Sequence, residues 1–237
     1  MNRPYYFKEI VLTFISFLWL LFVATNVNVT LGQTYLWFVG GIFFLIIIDQ
    51  TIFNKNIQIT FQKSPGGTLS ALLMAFGGWI TLMIASIFVM KFIEPTKANL
   101  SSVISLMGAT TPALATSKIA NLLTFGIAVA FVETQLWSRA LEFFSDLFNI
   151  PVNKSSLKKF KFLFLIGILS LVFVLFHLTA KGITNIPSLA IVFIMMLISL
   201  IMVAWTEETR SAVFMHIFAN TIASYIMLFA TGMLQLG

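Results

Sequence analysis

Cysteine is absent from the 237-residue chain, which removes disulfides, thiolate nucleophiles and thiolate metal sites at once. Charge is nearly as scarce. Charged residues make up 9% of the sequence, against about 25% in an ordinary soluble domain. With 8 acidic residues and 2 histidines, the chain has few groups able to move protons. Strand-type alternation is missing too, and with it the pattern of a closed membrane barrel. No internal repeat is visible. What remains is 59% hydrophobic, with a mean hydropathy of +1.00. That composition predicts an all-α, multi-pass transmembrane bundle, a single membrane domain over residues 1–237. The net charge of +6 fits basic cytoplasmic loops and attraction to anionic lipid headgroups, and argues against a nucleic-acid partner.

The apolar runs predict about seven spans, at roughly 10–24, 35–53, 69–91, 119–144, 162–180, 189–205 and from a turn at 206–210 to about 234. A signal peptide fits the start of the first run, but no small-x-small cleavage site follows it, so it reads as a span. The stretch 94–117 is mixed, and a short interfacial or re-entrant helix is expected there. With the N-terminus inside, 9 Lys and Arg fall on the inner side and 4 on the outer. This bias predicts a cytoplasmic N-terminus in a cell membrane.

The informative residues are the polar ones inside apolar runs. Glu133 and Arg139 lie within the fourth span, where an ionisable group costs roughly 2.5–3.5 kcal/mol unless it faces protein or water. His177 follows Phe173 by one turn in the fifth span, and His216 and Asn220 stand at i and i+4 in the seventh, on one helix face. A carboxylate shielded from water is a stronger base than a solvated one. Imidazoles orient water or carry protons, and an amide N–H stabilises an oxyanion. Together these groups equip a site for peptide hydrolysis. Read singly, each polar group is as easily interhelical glue. Glu133, His177 and His216 also make a possible zinc set, although the usual HExxH spacing is absent. Glu207 and Glu208 read differently: Thr206 is the expected N-cap of the last helix, with two acids in its first turn.

These residues resemble the CPBP family of intramembrane proteases, which includes CAAX proteases and bacteriocin-processing enzymes. The family pattern is EExxxR, FxxxH and HxxxN. Phe173 to His177 matches the second motif and His216 to Asn220 the third, within a protease-like core over 124–224. The first motif departs: Thr134 stands where the second acid belongs, and Arg139 comes one residue late. The resemblance implies a catalytic set of Glu133, His177, His216 and Asn220, with Arg139 and Phe173 in support. It also implies possible zinc, with membrane lipid and a membrane-associated peptide or protein substrate as partners. The degenerate motif equally suits an inactive family member serving as a bacteriocin immunity factor or membrane-protein partner. A proton-relay transporter is a third class, but the inverted hydropathy repeats that would favour it are missing.

A helical ruler gives expected depths. His216 lies ~9 Å past Arg210, Glu133 ~13 Å before Glu142 and His177 ~24 Å past Lys161. Glu133 is therefore expected near His216, with His177 further off.

Overall fold

The computed structural model describes residues 40–41, 67–97, 119–180 and 186–230. Five α-helices account for most of them: α1 Gly67–Ile93, α2 Ile119–Leu147, α3 Phe160–Ala180, α4 Ile186–Thr206 and α5 Arg210–Ala230. Short 3-10 turns occupy Pro95–Lys97 and Lys154–Lys158. The architecture is all-α. Three of the helices, at Gly67–Ile93, Phe160–Leu178 and Ile186–Thr206, are long and apolar enough to cross a membrane, which marks the chain as a membrane protein. The first expected span, nearly all of the second, the stretch 98–118 and the end of the chain beyond 230 lie outside the described residues.

In hydrocarbon a backbone N–H finds no water, so an apolar run satisfies its hydrogen bonds internally as helix. The ends follow from local chemistry. α2 closes with Ile150 N donating to Ser145 O and Asn149 N to Asp146 O, with Asn149 left-handed at φ 53. That paired bonding is a Schellman cap, and Pro151 prevents continuation. α4 carries Pro187 in its first turn, where a missing N–H costs nothing.

α1 leaves Leu69, Leu73, Phe76, Ile80, Ile84 and Phe88 exposed, at spacings of three and four that make one lipid-facing stripe. Its other side packs against α4 and α5. α2 packs against α5 and α3, and α3 against α4. Trp137, Phe162, Phe173 and Met196 are buried among these helices. Among the described residues, α2 and α5 bring a dense set of polar side chains inside: Glu133, Thr134, Gln135, Ser138 and Arg139 from one, His216, Asn220 and Thr221 from the other.

Candidate functional site

Two neighbouring residues of α2 address the two nitrogens of one imidazole on α5. Glu133 Oε2 lies 3.7 Å from His216 Nε2, with both side chains 1% exposed. Thr134 Oγ1 lies 3.0 Å from His216 Nδ1. The second contact is a hydrogen bond; the first is longer than one and is an ionic approach across a narrow gap.

His177 reaches the same neighbourhood from α3. Its Nδ1 donates to Phe173 O at 3.0 Å, which leaves Nε2 as the acceptor of the neutral ring. The Phe173 ring sits 4.2 Å from the His177 ring and 6.5 Å from the His216 ring, centroid to centroid. It also meets Trp137 edge-on at 5.4 Å. Phe173 is thus a shared wall that touches both histidines.

Trp137 and Phe173 each stand roughly three turns from the α2–α3 connection. The two helices therefore run antiparallel. One turn beyond that ring contact, α2 carries Glu133 and α3 carries His177. The expected depth mismatch is corrected here. α2 does not end near Glu142 but runs on to Leu147, so Glu133 lies ~21 Å from its end while His177 lies ~26 Å into α3. The ruler had started from the wrong edge.

Asn220 is buried one turn past His216. It faces α2 at Gly126, where an added Cβ would stand 3.6 Å from Asn220 Cβ and 2.7 Å from Thr221 Cγ2. Glycine lets the two backbones approach at this crossing. Immediately before Glu133, Val132 fills the space where Gly41 would carry a Cβ, at 2.5 Å. Residues 40–41 therefore lie against the same stretch of α2.

Arg139 pairs with Glu142 at 2.8 Å, one turn further along α2. The acids of the 206–210 turn are also structural, though not as expected. Thr206 ends α4 and donates to Met202 O and Glu208 O. Glu207 N donates to Val203 O, and Glu207 is left-handed at φ 57. Val213 N donates to Thr209 O, so Thr209 is the N-cap of α5 and the helix starts three residues later than expected. Glu208 lies outside the first turn of α5, buried against Arg210 Nε at 3.0 Å and accepting from Ser211 Oγ at 3.3 Å. Gln135 Nε2 donates to Thr209 Oγ1 at 2.9 Å and ties this turn to α2.

Among the described residues no three His, Asp or Glu side chains form a group that could hold a metal ion. Two contacts carry no signal in the sequence: Thr134 to His216, because a threonine in a helix ordinarily bonds its own backbone, and Gln135 to Thr209, because an amide in an apolar run names no partner. Comparison with known protein families, with curated proteins and with solved structures finds no match to this chain.

Proposed function

We propose that the chain is an intramembrane endopeptidase of the CPBP type, hydrolysing a peptide bond in a membrane-associated peptide or protein tail. The observation that carries the reading is the buried approach of Glu133 to His216 from two different helices, at 3.7 Å. A water ~2.8 Å from both atoms fits that separation, with an angle of roughly 80° at its oxygen. Glu133 takes a proton from the water, whose oxygen bonds to the scissile carbonyl carbon. The carbonyl electron pair moves onto oxygen, and the Asn220 amide donates to that oxyanion. When the oxyanion collapses the C–N bond breaks, and the amine leaves with the proton Glu133 held. His177 and His216 hold the water. No step is routed through a metal. By resemblance, bacteriocin precursors and prenylated C-termini are the substrate classes to try first. The same reading places about seven spans in the cell membrane with the N-terminus in the cytoplasm.

The test is Glu133→Gln beside His216→Ala in a cleavage assay, with membrane levels measured in parallel. Loss of cleavage at normal levels in both supports the reading. Chelation with metal analysis separates a zinc-held water from one held by side chains alone. A second reading, an inactive immunity factor or membrane-protein partner, is favoured by Thr134 standing where the family has its second acid and by Arg139 being engaged with Glu142. Full function in both variants would select it.

A further inference from the structure

Thr134 differs from five other hydroxyls on the described helices. Ser138, Ser170, Ser199, Thr206 and Thr221 each donate to the carbonyl one turn earlier on their own helix. Helical hydroxyls in apolar surroundings commonly settle this way, because one common rotamer brings them to that carbonyl. The Thr134 hydroxyl is instead turned across the helix interface to His216 Nδ1. A hydroxyl has one proton and His216 Nδ1 is its partner. If the ring nitrogen donated, the hydroxyl proton would be buried without this acceptor, which is costly in a dry interior. If the hydroxyl donates, Nδ1 is the acceptor and the ring proton sits on Nε2. Nε2 is the atom facing Glu133 Oε2, and an N–H facing a carboxylate oxygen attracts where a lone pair would repel. Both ends of the ring therefore favour the same tautomer.

We infer that Thr134 is a positioning residue that donates to Nδ1 and holds neutral His216 as its Nε2–H tautomer, opposite to the tautomer that the Phe173 carbonyl imposes on His177. His216 then acts as a hydrogen-bond donor towards the Glu133 side, and its Nε2 offers no lone pair to a metal or to a proton. His177 keeps an accepting Nε2. The two imidazoles are chemically unlike, although both stand one turn from a motif partner. A carboxylate in place of Thr134 would accept from Nδ1 and reverse the His216 ring.

This inference rests on the geometry used for the peptidase reading but not on turnover. The chain has 2 histidines, so full-length protein labelled with [15N]histidine in nanodiscs gives two ring systems, assigned with a His177→Gln variant. At neutral pH the wild type is expected to show one ring protonated at Nδ1 and one, His216, at Nε2. Thr134→Ser should keep that pattern, Thr134→Val should leave a reduced Nε2–H preference held by Glu133 alone, and Thr134→Glu should move the His216 proton to Nδ1. A wild-type His216 protonated at Nδ1, alone or together with Nε2, overturns the inference. So does a Thr134→Val spectrum identical to wild type. If Glu133→Gln and His216→Ala leave function intact while the tautomer pattern stands, the peptidase reading fails and the role of Thr134 survives.

Discussion

Glu133 and Glu208 are both acids buried at helix interfaces, and their surroundings could hardly differ more. Glu208 is paired at hydrogen-bond length with Arg210 and accepts from Ser211 within its own turn. Its partners are local, and its role is to fix how α4 hands over to α5. Glu133 faces an imidazole on a distant helix across a 3.7 Å gap. A carboxylate paired with an arginine in its own turn does structural service, whereas one facing a histidine across a gap leaves room for a reacting group between them. The same residue type therefore marks a clasp in one place and a candidate base in the other.

The largest expected effect separates the two acids by function. Glu133→Gln should lower hydrolysis by about 10²–10⁴-fold, the usual worth of a general base, with little change in the melting temperature of detergent-solubilised protein. Unchanged hydrolysis would break the contrast. Glu208→Ala should do the opposite. Stranding Arg210 in a largely buried site costs about 3 kcal/mol, read as a lower melting temperature, while activity per folded molecule falls far less than in Glu133→Gln.

A smaller effect is expected at the α2–α5 crossing. Gly126→Ala drives a methyl to within 2.7 Å of Thr221 Cγ2 and should cost about 1–3 kcal/mol. Thr221→Ser removes that methyl and keeps the hydroxyl that bonds Ile217 O, so the double variant should regain most of the loss. The smallest effect belongs to the Arg139 pair. Glu142→Gln keeps an acceptor for the buried Arg139 but removes its counter-charge, so it should cost about 1 kcal/mol and leave hydrolysis unchanged, which sharpens the view that this ion pair lies apart from the chemistry.

The sequence made Glu133 and His216 legible because an ionisable group in an apolar run is expensive and needs a reason. It made the five described helices legible because lipid permits little else. Details that depend on one residue of phase or on a specific crossing were not legible. Thr206 looks like an N-cap because a threonine before two acids fits that pattern, yet a left-handed Glu207 moves the start of α5 to Arg210. Arg139 and Glu142 sit one turn apart in plain view, but only geometry shows the pair to be joined at 2.8 Å. The ruler from Glu142 places His177 too far off because a charge need not mark the end of a helix, and α2 continues past Glu142 to Leu147.

The turn at Glu207 to Thr209 has a mechanical consequence. It is short, clasped by Glu208 and Arg210, and tied to α2 through Gln135. α5 leaves it with a fixed angular phase, and six residues later that phase presents His216 to α2. One residue inserted between Val213 and Phe214, inside the first turns of α5, would rotate everything downstream by about 100° and carry the imidazole off the Glu133 side. The clasp thus works as an indexing stop, setting the angle at which a remote helix meets its partner.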